Sequence, residues 1–538
     1  MKIRDAILIL LALVLVNVLV QHFVLRWDLT EDKRYSISGP TKQLLRESEQ
    51  PIEITILLDG ELNSGFLRLK TATKEIVDEF GAYGTVTISK KADAIVAKEM
   101  GLTPTVIHER THKGQTVQTT IYPYAIVRYG EKQAVVNLLK NQRGLRGEEN
   151  INHSIENLEY AFVEAIRRLK QTKVEKIAFL EGHGELSEHE VYDLTQALAQ
   201  YYQIDRGVLG TEAGVLDEYE AVIIADPQFV FSETDKYILD QYLMQGGRIL
   251  WVINGVKFSQ DYLSSQGSTP IIALDLNIDD MLFRYGVRVN HGLVQDLQCL
   301  PVPVDVSTTP EQPNWQPMPW TYAPLLLTSQ QSAITRHVAQ VTTTMASAIE
   351  MVGGEDGIKK DVLLATSSAS KLTAAPAEVD LNFGIDDQQS FRYAFIPVAV
   401  SLEGVFQSIY AHSLPPETIK QDAPIIKQSK FTRQVVVAAG NSIRNEWQQG
   451  KPLPLGYDRY TQTQFGNRDF MINTVLYLAD DEAWLTLRQK EITLRLLNDQ
   501  RARENRLIAQ TVSIIIPLLM LVLIGSTILI IRQKKYIR

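Results

Sequence analysis

Apolar residues along this chain keep three rhythms: unbroken runs near both ends, alternation with period two, and the 3.6-residue spacing of helices. Ala6 to Leu25 is a run of 20 residues without a charge, and Leu507 to Ile531 is a run of 25. Either is long enough to cross a hydrocarbon core of roughly 30 Å as a helix. Lys2 and Arg4 precede the first run, and Arg532, Lys534, Lys535 and Arg538 follow the second. That charge pattern predicts both termini in the cytoplasm and the intervening body exported. A basic start before an apolar core also fits a cleaved signal peptide. Gln21-His22-Phe23-Val24-Leu25-Arg26-Trp27 offers no small-x-small cleavage site, however, which favours an uncleaved anchor.

After a polar juxtamembrane segment, residues 26–50 with a helix at Thr41 to Glu47, the alternation begins. Ile52, Ile54, Ile56 and Leu58 predict a half-buried strand. Phe66, Leu69, Thr73, Ile76, Val77 and Phe80 share one helix face, and Val86 to Ile88 predicts a second strand. Ile121 to Tyr129 and Gln133 to Leu139 flank Gly130-Glu131 as a hairpin, and Ile155, Leu158, Phe162, Ile166 and Leu169 mark one amphipathic helix. A small α/β domain over residues 51–172 is expected, bounded at Lys170-Gln171-Thr172-Lys173.

From Lys176 strands and helices alternate strictly: strand Ile177 to Leu180, helix Glu188 to Tyr201, strand Ala221 to Ala225, helix Glu233 to Gln245, strand Arg248 to Ile253. Strands joined by helical crossovers make a parallel, doubly wound sheet, here a larger domain over 173–480. Phe391 to Ser401 and Gln434 to Ala438 add strands, and Phe470 to Leu478 is its last helix. The proline-rich stretch from Pro301 to Pro324 predicts an extended loop anchored by Trp315 and Trp320. Thr366 to Gln389, rich in Ser, Ala, Asp and Gln, predicts a mobile insertion. Asp480 to Arg506 lacks Gly and Pro and predicts a juxtamembrane helix (481–506) entering the second span (507–531), with a basic tail at 532–538.

A formal net charge of -9 argues against nucleic acid as a partner, because phosphate binding needs a concentrated basic face. One cysteine, Cys299, excludes an intrachain disulfide and a cysteine redox pair. The sharpest local signal is Glu181-Gly182-His183-Gly184-Glu185, at the carboxyl end of a strand. Asp226-Pro227 and Asn254-Gly255 end the next two strands. Ligands of open α/β sheets bind at that edge, so Glu181, His183, Glu185, Asp226 and Asn254 are the candidate ligand-binding residues. A structural turn with polar tips is the competing reading. His183, Glu185 and His189 match no metal-ligand spacing, and His108 and His112 are expected in a solvated loop. Gly353-Gly354-Glu355-Asp356-Gly357 lacks the Lys-Ser/Thr of a P-loop, and no G-x-S-x-G occurs. The scaffold is similar to class I glutamine amidotransferases. Their nucleophilic cysteine has no counterpart here, since Cys299 lacks flanking glycines. Gly440-Asn441-Ser442 and Gly466-Asn467-Arg468-Asp469 suit turns and a helix cap. No catalytic residue, cofactor or metal is expected.

Trp27-Asp28-Leu29-Thr30-Glu31-Asp32-Lys33-Arg34-Tyr35-Ser36, Gly182-His183-Gly184-Glu185 and Val294-Gln295-Asp296-Leu297 together carry a resemblance. So do Pro319-Trp320-Thr321-Tyr322-Ala323-Pro324, Gly440-Asn441-Ser442 and Gly466-Asn467-Arg468-Asp469-Phe470-Met471-Ile472-Asn473. On these motifs the chain resembles the gliding-motility-associated ABC-transporter accessory (substrate-binding) proteins of Bacteroidota, the GldG family, over nearly its whole length. The resemblance implies a periplasmic body anchored in the inner membrane beside an ABC permease and a cytoplasmic ATPase, in organisms that glide and use type IX secretion. It implies no catalytic residue and no defined substrate. A periplasmic ligand-binding protein, or a hydrolase built on the 181–185 loop, is the alternative, and an oligomer is compatible with either.

Overall fold

The computed structural model describes residues 37–536 except 61, 90–93, 103, 111–115, 140–146, 171–173, 306–314, 337, 354–356, 382–387, 420–423 and 480–505. The expected first span, the Asp480 to Arg506 helix, His112 and the 171–173 boundary lie outside the described residues. The chain forms two units, Met1–Glu491 and Ile492–Arg538.

The larger unit opens with helix α1 (Gly39–Arg46), started by Ser38, whose hydroxyl accepts from Thr41 N. Strand β1 (Ile52–Ile56) turns Ile52 and Ile54 inward with no exposed surface, as their alternation requires. Helix α2 (Ser64–Gly81), capped by Asn63 Oδ1 on Phe66 N at 2.9 Å, leads to β2 (Val86–Ser89), parallel to β1. The hairpin follows as β5 (Tyr124–Tyr129) and β6 (Lys132–Asn137), giving the sheet order β2-β1-β5-β6. A separate hairpin precedes it, β3 (Thr105–Arg110) with β4 (Thr116–Ile121). His108 is therefore on a strand opposite Gln118, not in a loop. The single helix expected around 155–169 is two, α3 (Gly147–Glu156) and α4 (Leu158–Lys170). Asn157 interrupts them, its side-chain amide donating to His153 O at 2.8 Å.

Among the described residues the main sheet has ten strands. In chain order they include β7 (Lys176–Glu181), β8 (Gln203–Val208), β9 (Tyr219–Ala225), β10 (Ile249–Val252), β11 (Cys299–Asp305), β12 (Trp315–Thr328), β13 (Lys359–Ala365), β14 (Pro397–Gly404) and β15 (Thr432–Val437). Their spatial order is β11-β12-β13-β14-β15-β10-β9-β7-β8, with Val341–Thr342 pairing beside β12. From β8 to β15 neighbours run parallel; from β15 to β11 they are antiparallel. The sheet is thus mixed, its parallel half doubly wound. Alternate side chains serve opposite faces: Ile177 and Phe179 join one core cluster, Ala178 and Leu180 the other. Helices α5 (Tyr192–Leu198) and α7 (Asn467–Leu478) cover the first face, and α6 (Glu233–Met244) the second. The expected helix Glu188 to Tyr201 is shortened to α5, because Glu190 accepts from Ser187 N in a turn before it.

Two expectations are corrected. Pro301 to Pro324 is no loop but lies mostly in the β11–β12 ribbon, in which Pro301 faces Pro319 and Pro303 faces Pro317. Pairs two apart share one class of an antiparallel ladder, the one that asks for no inter-strand N–H, so prolines fit. Trp320 is buried, with Nε1 donating to Asp380 O at 3.1 Å. The described part of the stretch from Thr366, up to Leu381, is paired and not a mobile insertion, and residues 382–387 lie outside the described residues. Ser370–Ala374 pairs with Gly292–Asp296, Ala377–Asp380 pairs with Ser268–Ala273, and the buried Asp296 carboxylate accepts from Ser367 N at 2.6 Å.

Helix α7 is buried nearly all round, Phe470, Met471, Ile472, Val475 and Leu476 among its core side chains. Its last turn is gripped by the sheet: Arg433 Nη1 donates to Tyr477 O at 3.3 Å while its Nε binds Glu403 Oε1 at 3.0 Å. The Tyr477 hydroxyl meets Glu403 Oε2 at 3.3 Å. Taken by itself, the smaller unit holds helix α8 (Arg506–Tyr536). Apolar side chains on it, from Ile515 to Ile530, are about half or more exposed. Among the described residues, no helix is long and apolar enough to cross a membrane.

Candidate functional site

In the parallel half, the order β8-β7-β9-β10-β15 places a topological switch point between β7 and β9, where an open α/β sheet leaves a crevice. Here side chains fill it. Gly182 and Gly184 take positive φ (116° and 75°), folding the loop after β7 so that His183 O accepts from Gln228 N and Phe229 N. A Cβ at Gly184 would lie 2.8 Å from the Phe229 ring. The His183 ring stacks on Phe231 with centroids 3.8 Å apart. Its Nδ1 faces Glu185 Oε1 at 3.1 Å and its Nε2 faces Asp235 Oδ2 at 3.2 Å. Asp235 is also the reciprocal partner in the capping box of α6 with Ser232. Burial opposes a charged ring, yet the hydrogen bonds and charges of Asp235 and Glu185 outweigh it and raise the His183 pKa to about 9. The ring is an imidazolium donating from both nitrogens. Glu185 is also spent, its other oxygen accepting from His183 N at 2.6 Å. Glu181 points elsewhere, to Arg206 at 2.7 Å. These three candidates build the turn.

Asp226 and Asn254 sit in a different place, on the wall of a cavity of about 430 Å³ at the ends of β9, β10 and β15. Asp226 is 4% exposed and adopts φ 54°, a left-handed conformation open to Asp and Asn more than to most residues. Its Oδ1 accepts from Asn254 Nδ2 at 2.7 Å, and Asn254 Oδ1 accepts from Gly440 N at 2.9 Å. Gly440 is required there: a Cβ would stand 2.1 Å from Asp226 Oδ1. Arg444 Nη2 lies 3.8 Å from Asp226 Oδ2, and its Nη1 is bound to Glu190 at 3.0 Å. Burial pushes the Asp226 carboxyl up to about 6, with Arg444 pulling against that shift and Glu190 adding to it. Asn441 and Asn467, which sequence alone reads as turn and cap residues, also line the cavity. Asn441 Nδ2 donates to Thr344 Oγ1 at 2.7 Å, and Asn467 brackets Thr342 N and O at 3.0 and 2.7 Å. Arg444, Glu446 and Asp458 complete the site. No pattern in the chain signals those three, since none belongs to a recognisable motif.

Cys299 is on β11, half-buried, and burial pushes its thiol up to about 11. That is the reverse of an activated nucleophile. Among the described residues no group of three His, Cys, Asp or Glu side chains could hold a metal ion.

Fold and site thus define a doubly wound α/β protein with a polar cleft beside, not at, its switch point. Two family models match this chain. One, described as an ABC-type uncharacterized transport system, covers residues 175–474, and the other, a domain of unknown function (DUF7088), covers residues 31–128. The first takes in more than half the chain, which therefore belongs to that family and is an auxiliary protein of an ABC transport system. A comparison with curated proteins finds no significant match. Among solved structures, the mmIFT52 N-terminal domain aligns over 56% of this chain and 97% of its own, at 15% identity and a TM-score of 0.33. Exo-beta-1,4-mannosidase Op5Man5 from Opitutaceae bacterium strain TAV5 aligns over 65% of this chain and 40% of its own, at 12% identity and a TM-score of 0.18. Both likenesses are too distant to carry an argument.

Proposed function

We propose that the chain is a non-catalytic, membrane-anchored subunit whose body lies in the periplasm. It works beside an ABC permease and a cytoplasmic ATPase, in a system serving gliding motility and type IX secretion in Bacteroidota. The observation that carries this reading is membership of the transport family over residues 175–474. The anchors are supported by the uncharged runs Ala6 to Leu25 and Leu507 to Ile531, and by the apolar surface of α8, with Leu521 67% and Leu523 65% exposed. Such a surface is costly in water and favoured in lipid. A scaffold akin to amidotransferases without their chemistry fits a body that binds and does not react.

Tagged full-length protein extracted from membranes of a gliding organism is expected to bring down one permease and one ATPase. Recovery free of both overturns the proposal. Orientation is read separately: with Cys299 replaced by Ser, a cysteine at the exposed Ser265 should react with a membrane-impermeant maleimide once the outer membrane is opened. Labelling only after the inner membrane is breached places the body in the cytoplasm. The second reading, ligand binding, is better supported at the cavity beside Asp226 than at the 181–185 loop, where His183 and Glu185 are already engaged.

A further inference from the structure

The cavity at the ends of β9, β10 and β15 holds more negative charge than its own residues balance. Asp226, Glu446 and Asp458 line it against a single guanidinium, Arg444. That guanidinium is already committed to Glu190 at 3.0 Å and reaches Asp226 only at 3.8 Å. Asp458 is held within its own turn by Thr461 N at 2.7 Å. Asp226 forms the floor, and Glu446 stands exposed at the rim, 3.7 Å from Arg459. Phe258, Leu300 and Pro454 give the same space an apolar side.

A carboxylate at 226 is not needed to build this place. Asparagine would tolerate the same positive φ and could keep an oxygen for Asn254 Nδ2. What only aspartate adds is charge, buried with an incomplete counter-ion, which costs stability. We propose that the cavity binds a small organic cation, a polar molecule carrying a protonated primary amine, with the ammonium group against Asp226 Oδ2 and Glu446 and the carbon skeleton against Phe258 and Leu300. Anions are disfavoured by the surplus of acids, and a neutral polyol leaves the Asp226 charge unanswered. The inference concerns the cavity alone and does not depend on the transporter partners.

The test is calorimetric titration of the full chain in detergent at about pH 7.5, where both a simple amine and Asp226 are ionised. The probes are putrescine and ethanolamine, 1,4-butanediol as the neutral isostere, and inorganic phosphate. Both amines are expected to bind. Asp226→Asn should weaken them roughly tenfold or more, the scale of one charge-assisted hydrogen bond. The unliganded variant should unfold at the same temperature as the wild type or higher, which shows that the loss is not misfolding. Glu446→Gln should weaken binding less, because it acts from the rim. No heat with either amine overturns the proposal. So does equal binding of the diol, binding of phosphate in place of the amines, or an Asp226→Asn variant that binds like wild type. Failure to recover a permease would leave these outcomes unchanged.

Discussion

His183 and Asp226 lie in adjoining loops, and both lose their contribution to stability as pH rises, over different intervals. The His183 pKa rises from 6.5 to about 9 on folding, so its contribution, roughly 3 kcal/mol, is fully present below pH 6.5 and disappears as pH climbs through 9. Urea midpoints are therefore expected to fall over that interval, and His183→Gln should flatten the decline while lowering stability at neutral pH. An unchanged slope in the variant would show that another group is responsible. The Asp226 carboxyl also rises, from 3.8 to about 6, so its contribution is fully present below pH 3.8 and is lost as pH rises through 6. Asp226→Asn should remove this second decline. Deeper still, Asp240 accepts from Tyr285 OH at 2.8 Å, Ser408 Oγ at 2.6 Å and Ile409 N at 3.1 Å, tying α6 to the loop after β14. Asp240→Ala strands all three donors and is expected to cost about 3 kcal/mol or more in chemical denaturation.

At the scale of elements, the β11–β12 ribbon makes a sharp prediction. Val302 and Met318 face each other between the two proline pairs, and so fall in the class that exchanges N–H bonds. Val302→Pro should cost about 2 kcal/mol or more, while Pro301→Ala should be nearly neutral, a contrast visible in thermal midpoints. The ribbon also shows where reading the chain alone stops short. Proline signals a break unless the pairing partner is known, and Pro319 becomes compatible with a ladder only once it faces Pro301. The parallel core was legible because strands such as Ile249–Val252 are short apolar runs between helical spacings. Edge strand β8 was not, as Asp205 and Arg206 interrupt its apolar positions. Of the site, Asp226 and Asn254 were legible as strand-end residues. The cavity itself was not, because it is assembled from residues as far apart as Gln228 and Asn467 that meet only across the finished sheet.

Across the whole molecule, one apolar cluster joins what the chain pattern divides at residue 172. Phe80 and Phe162, packed edge to face at 6.1 Å, belong to the same cluster as Phe179 and Phe470. The Tyr160 and Tyr201 hydroxyls meet at 2.9 Å across that divide. The β2-β1-β5-β6 layer and the ten-stranded sheet are therefore expected to melt in one calorimetric transition. Two resolved transitions would show that the 172 boundary is also a thermodynamic one.

The grip of Arg433 and Glu403 on the final turn of α7 bears on how mechanical load would enter this body. Tension applied to the chain just beyond Leu478 meets that guanidinium and carboxylate first, and they stand on β15 and β14, interior strands of the sheet. A tug there bears on two hydrogen-bonded interior strands as well as on the helix itself.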